Sequence, residues 1–190
     1  MNDNITICTA QVSDASEILA VYTYYVEKTA VTFEYEVPAL EEFAGRIHTT
    51  LQRYPYLVAR EAGEILGYAY AGPFKGRVAY DWSVETTVYV REDQKRRGIG
   101  QMLYAELERL LKKQGILNMY ACIAYPMEAD VYLTRDSVKF HEKMGFQMVG
   151  QFHNCGNKFG NWYHMVWMEK ELGKHEKNPK GIIFYPEIEF

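Results

Sequence analysis

No stretch of this sequence approaches the roughly 18 consecutive apolar residues that a membrane-spanning helix requires, so neither a membrane anchor nor a membrane partner is expected. The opening stretch, MNDNITICTAQVSD, lacks a basic segment followed by an apolar one, and no secretory signal is expected. Cysteine is scarce: Cys8, Cys122 and Cys155 are scattered and odd in number, which excludes a disulfide framework and fits reduced thiols in the cytoplasm. Basic residues are not in excess, with 21 Lys+Arg against 25 Asp+Glu and a formal charge of -4. Non-specific binding to nucleic acid needs several phosphate contacts at once, so no nucleic-acid partner is expected. Internal repeats and low-complexity tracts are absent. His153, Cys155 and His164 match no standard zinc spacing, and no metal is expected.

What is abundant is aromatic: 15% of the chain, with sixteen Tyr and nine Phe among 190 residues. Tyrosine suits half-wet surfaces, where a ring is buried while its hydroxyl stays paired, so a lined cleft or a subunit contact is expected. Hydrophobic residues at 48% and charged residues at 24% allow a sizeable core. The length suits one domain, placed at 1–172, with an appendage at 173–190 where the composition changes after Leu172.

Periodicity and turn residues predict the order β-α-α-β-β-β-α-β-α-β-β. Ser13 and Asp14 open a first helix, and a second carries Leu40, Phe43, Ile47 and Leu51 at helical spacing with Pro38 at or near its first turn. A hairpin turns at EAGE, and WSVETTVYV is the strand before QKRRGIGQMLY, Gln94 to Tyr104. Mixed hairpins and crossovers predict an α+β, or mixed α/β, sheet rather than a regular doubly wound one.

QKRRGIGQMLY holds G-x-G without a third glycine, since Leu103 stands three beyond Gly100, and it lacks G-K-[ST]. A dinucleotide site is therefore weak and a P-loop is excluded. Two readings remain, a solvated basic turn and a phosphate cradle. For the second, free amides at a helix start carry partial positive charge, glycines at 98 and 100 let the backbone approach, and Arg96 and Arg97 add cations.

The stretch VETTVYVREDQKRRGIGQMLYAELERLLKKQGI resembles the Q/R-x-x-G-x-G/A motif of the GNAT N-acetyltransferases. Together with TFEYEVP, GPFKGRVAYDWSVETTVYV and KFGNWYHMVW, in family order, it looks like their phosphinothricin and methionine sulfoximine acetyltransferase branch. The resemblance runs from about residue 5 to 170. It implies a twisted mixed sheet with about four flanking helices and a splay between its central parallel strands, acetyl-CoA as co-substrate and a homodimer. By match, the backbone of Val88, Tyr89 and Val90 would pair with pantetheine, and Arg96, Arg97, Gly98, Ile99, Gly100 and Gln101 would hold the pyrophosphate. Lys95 departs from the motif's Gln or Arg. Asp136 departs too, standing where Asn is usual as a cofactor contact, and a carboxylate cannot donate the amide's hydrogen bond.

Acetyl transfer to an amine needs a base, since a free amine is mostly protonated near pH 7. Glu85 lies in a β-branched strand on the face of Ser83, Thr87 and Tyr89, where a carboxylate is either ion-paired or functional, and the resemblance makes it the base. Glu34 is a second carboxylate at the expected cleft rim, orienting the amine or serving a second acid/base route. His141 stands where many GNAT enzymes place a Tyr that protonates the leaving thiolate, a task its near-neutral pKa suits, or it is an ordinary helix-face histidine. Lys75 and Arg77 offer cations to an anionic amino acid or belong to a solvated loop; Phe33 and Tyr80 would wall the pocket, and Lys158, Trp162 and Tyr163 would reach it from the other end, from this chain or from a partner subunit. The expected activity is transfer of acetyl from acetyl-CoA to the α-amine of a small amino-acid-like acceptor by direct attack. The alternatives are a protein amino terminus or a polyamine as acceptor, and a non-catalytic acyl-CoA sensor.

Overall fold

The computed structural model describes residues 4–188. β1 (Thr6–Thr9) runs through a short 3-10 turn into α1 (Ala15–Lys28), which a loop joins to α2 (Leu40–Leu51). Three strands follow, β2 (Tyr56–Glu61), β3 (Glu64–Pro73) and β4 (Ser83–Val90), then α3 (Ile99–Gln114), β5 (Asn118–Tyr125), α4 (Asp136–Lys143), β6 (Gln147–Lys158) and β7 (Asn161–Glu171). This is the order read from the sequence. The β2–β3 turn is tight because Ala62 and Gly63 take φ 51° and 89°, a primed turn whose twist matches its strands. Pro38 stands near the first turn of α2, immediately before the N-cap Ala39, where the chain is still extended (ψ 148°), and the helix opens at Leu40.

The strands form one sheet in the order β1-β2-β3-β4-β5-β7-β6. Every neighbouring pair is antiparallel except β4–β5. Alternation divides the core between two faces. Leu57, Ala59, Ala69 and Val84 pack against Leu103, Leu107 and Leu111 of α3, while Tyr56, Val58 and Tyr68 pack against Ile18, Val21 and Phe43 of α1 and α2. Much of the tyrosine excess lies on the second face: Tyr56, Tyr68 and Tyr70 stack at centroid distances of 4.8 to 6.4 Å, and Tyr89 meets Tyr68 at 5.4 Å.

The segment after Leu172 returns over the domain. Tyr185 and Ile188 enter the α3-side core, the Tyr185 hydroxyl bonds Thr9 Oγ1 at 2.6 Å, and Gln114 Nε2 donates to the carbonyls of Arg53 and Ile183 at 2.8 Å each. Among the described residues no helix is long and apolar enough to cross a membrane.

Candidate active site

The parallel strands β4 and β5 pair only at Ser83–Asn118, Val84–Met119 and Glu85–Tyr120. Beyond that point they diverge, and the Thr86 hydroxyl donates to the Tyr120 carbonyl at 3.0 Å in the crotch of the fork. The fork opens a cleft of about 1020 Å³, with Thr86–Val90 on one side and Ala121–Ala124 on the other. β4 keeps its β3 partner throughout. Its β5-facing amides and carbonyls in Thr86–Val90 therefore have no strand to bond, which is what an extended amide-bearing ligand requires. The Val90 carbonyl already accepts the Tyr25 hydroxyl at 2.5 Å, leaving it one remaining lone pair.

At the open end of the fork stands the basic turn. Arg96 and Gly98 both adopt left-handed φ, 66° and 79°, and alternations of this kind gather amides into an anion-binding concavity. The first hydrogen bond of α3 runs from Met102 N to Gly98 O, so the amides of Ile99, Gly100 and Gln101 have no helical partner, and no side chain caps them. Gly100 lies so close to α4 that a Cβ there would sit 3.2 Å from Phe140 Cε2. Lys95, Arg96, Gln101 and Asp136 line this part of the cleft, and the Lys95 ammonium stands 5.4 Å from the ring centroids of Tyr24 and Tyr25. Arg97 departs from expectation. Its guanidinium pairs with Glu61 at 2.7 and 3.0 Å and with Gln94 at 2.5 Å, so it braces the turn against the β2–β3 hairpin rather than facing the cleft.

At the closed end, Glu85 lines the cleft beside Cys122. Burial raises the Glu85 carboxyl above the usual range, and the nearby Lys75 ammonium partly pulls it back. Burial among the cleft walls, reinforced by the Glu85 charge, pushes the Cys122 thiol up to about 12 although the residue is open to solvent by area. Lys75 rides over the rings of Phe74 and Trp167 at 5.1 and 5.8 Å. Tyr80 meets Phe74 edge-on at 5.9 Å, and Arg77 is exposed at the start of the same 3-10 turn. Phe33 lines the cleft from the α1–α2 loop, its ring laid against β6 where Gly156 has no side chain. Lys158 is buried and holds that loop in place by donating to the Thr32 carbonyl at 2.8 Å. Glu34, expected at the cleft rim, follows the lining residue Phe33 and is paired with Arg46 at 2.8 Å; its charge and that of Glu85 both act on Tyr70. Tyr163, expected to touch the acceptor, is buried instead: its hydroxyl donates to Asp130 at 2.7 Å and its ring backs Phe33. Among the described residues no group of three His, Cys, Asp or Glu side chains could hold a metal ion.

Residues 7–167, which include the diverging parallel pair and the glycine turn, match the family model for an acetyltransferase (GNAT) domain. The chain belongs to the GNAT acetyltransferases. It is 33% identical to the phosphinothricin N-acetyltransferase of Streptomyces viridochromogenes, over 88% of each chain. It is 36% identical to the L-methionine sulfoximine/L-methionine sulfone acetyltransferase of Pseudomonas paraeruginosa, over 90% of this chain and 96% of that one. Among solved structures, a GNAT phosphinothricin acetyltransferase of Sinorhizobium meliloti in complex with acetyl-CoA superposes with a TM-score of 0.85, at 30% identity over 97% of both chains.

In this GNAT chain, His141 is placed differently from the proton donor expected of it. It is buried against Phe140 and Phe146, and burial lowers its pKa to about 4. Nδ1 lies 2.7 Å from the Ser137 carbonyl, which can only accept, so that nitrogen carries the proton. Nε2 then accepts from the Tyr104 hydroxyl at 3.0 Å. The hydroxyl that meets His141 belongs to Tyr104, a residue that helical spacing alone assigns to the apolar face of α3, and burial raises its pKa. Tyr25 and Cys122 also line the GNAT cleft without a sequence motif to mark them. Their common signal is alternation or helical phase relative to residues that do carry one.

Proposed function

We propose that this protein transfers the acetyl group of acetyl-CoA to the α-amine of a small amino-acid-like acceptor of the phosphinothricin or methionine sulfoximine/sulfone type. The observation that carries the reading is the β4–β5 fork: pairing stops at Glu85–Tyr120, so one cleft joins an uncapped helix start to a half-buried carboxylate. Acetyl-CoA, when bound, supplies the thioester. The open edge of Val88, Tyr89 and Val90 binds the pantetheine arm, the turn at Arg96–Gln101 binds the pyrophosphate, and an amide of the same edge polarises the thioester carbonyl. Glu85 takes the proton of the attacking amine, directly or through water, and its raised pKa suits it to a base working near neutral pH. Lys75 and Arg77 attract the acceptor's carboxylate, Glu34 orients the ammonium at the rim, and Phe33 forms a wall. Cys122 stays protonated with its thiol at about 12, which favours direct attack over an acyl-enzyme. A cytoplasmic homodimer goes with this reading; its support is the three free cysteines and the exposed Tyr35, Met127, Val131 and Trp162.

An acetyl-CoA turnover screen over amino-acid analogues tests the proposal. Acetylation of phosphinothricin, methionine sulfoximine or methionine sulfone is expected, whereas tight acetyl-CoA binding with no amine acetylated would replace the enzyme with a sensor. Gly156→Ala probes the acceptor wall. Its Cβ would lie 2.3 to 2.7 Å from three Phe33 ring atoms, so the ring, which lines the cleft, must shift. The acceptor KM is expected to rise by about 10-fold, a loss of order 1 kcal/mol of pocket contact, while the acetyl-CoA KM holds. Equal changes in both constants would place Phe33 outside the acceptor pocket.

A further inference from the structure

We infer that Lys139 and Lys143 form a subsite for the 3′-phosphate of the coenzyme A nucleotide, separate from the pyrophosphate turn; this rests on the acetyl-CoA reading above. Both lysines lie on α4 and line the same cleft. Asp136, Lys139, Phe140 and Lys143 recur at three- and four-residue spacing and so make one stripe of the helix, the stripe that faces the cleft. Phe140 locates that stripe, because its ring sits against Gly100 in the first turn of α3. Lys139 and Lys143 therefore stand on either side of Phe140 along α4 and line the cavity that holds the pyrophosphate turn.

Their charge is otherwise unaccounted for. Among the described residues neither lysine makes an ion pair or a side-chain hydrogen bond, whereas Lys112 and Lys170 both pair with Glu108. Like charges four residues apart on a helix repel, and Lys95 and Arg96 line the same cavity, in a chain whose formal charge is -4. The carboxylates in that half, Glu92 and Asp136, are fewer than the cations. Such a concentration of cations is unfavourable until an anion enters. The helix-start amides with Lys95 and Arg96 suffice for a pyrophosphate, which leaves Lys139 and Lys143 for a second, dianionic phosphate on the same ligand. A free CoA thioester carries one at the ribose 3′ position, and its 3′-dephospho analogue does not.

Calorimetric titration of CoA and 3′-dephospho-CoA into the wild-type chain and into Lys139→Ala/Lys143→Ala tests the assignment. Wild type is expected to bind CoA about 10-fold more tightly than the dephospho analogue, as two charge-assisted contacts allow. The double variant is expected to lose that preference while binding 3′-dephospho-CoA as wild type does. Equal wild-type affinity for both nucleotides would overturn the inference. So would equal weakening of both by the double substitution, which would move the lysines to the pyrophosphate or to the fold itself. If wild type binds neither nucleotide, the acetyl-CoA reading fails instead.

Discussion

Glu85→Gln is expected to lower kcat/KM for the amine by roughly 10²- to 10⁴-fold, the range general-base catalysis contributes, while the KM for acetyl-CoA changes little. Glutamine keeps the shape and hydrogen-bonding reach of the side chain and removes only its ability to take a proton. The pH dependence follows from the same site. A base must be ionised, so wild-type activity falls as pH drops through a pKa lying above the ordinary glutamate value of 4.5, raised by burial and partly restored by Lys75. Lys75→Met removes the restoring charge, and its acid limb is expected to move to higher pH. Stability provides the control. A carboxyl whose folded-state pKa is raised contributes stability below the unfolded pKa, and that contribution is lost as pH rises through the folded value. At neutral pH the ionised Glu85 therefore works against the fold, and Glu85→Gln is expected to melt at the wild-type temperature or above it. Undiminished turnover in a well-folded Glu85→Gln would remove the carboxylate from the mechanism.

That a carboxylate in mid-strand reads as functional in the sequence owes much to its setting, since β-branched neighbours leave it few innocent explanations. The glycine turn reads equally well, because Gly98 and Gly100 have backbone consequences that hold wherever the chain goes. Direction is another matter. Arg96 and Arg97 are equivalent as letters, yet a left-handed φ of 66° at Arg96 separates them, and Arg97 ends on Glu61. Protonation is likewise invisible in a sequence. The ordinary pKa of histidine suggests a donor at 141, and only the surrounding Tyr104, Phe140 and Phe146 make the ring neutral. Composition sets the stretch after Leu172 apart as an appendage, but Tyr185 and Ile188 reach the core. The apolar residues of GIIFYPEIEF follow no helical or strand period that would announce which of them do so. Gly156 matters through one ring, and nothing local links it to Phe33, far away in the chain.

Replacing Gly98 or Gly100 with valine is expected to weaken acetyl-CoA binding on the order of 10- to 100-fold, or about 1.4 to 2.8 kcal/mol, for two different reasons. Gly98 holds φ 79°, and a Cβ there meets only Gln101 Oε1, at 3.9 Å. Space is open on the protein side, so the penalty is conformational: a left-handed backbone costs an L-residue about 1–2 kcal/mol, and more when it is β-branched. Gly100 has the reverse problem. Its backbone accepts any residue, but a Cβ would lie 3.2 and 3.4 Å from Phe140 and 3.8 Å from Val90, and valine must part α3 from α4. Asparagine at 98 separates conformation from access, because it tolerates the left-handed region better than other side chains. If the turn's shape holds the pyrophosphate, Gly98→Asn binds acetyl-CoA better than Gly98→Val does. If the ligand instead presses directly on the Gly98 Cα, asparagine fails as badly as valine, and the bare backbone is itself the contact. Wild-type affinity in both valine variants, with their folds intact by circular dichroism, would mean that the phosphates bind elsewhere and that the turn is only a basic bend.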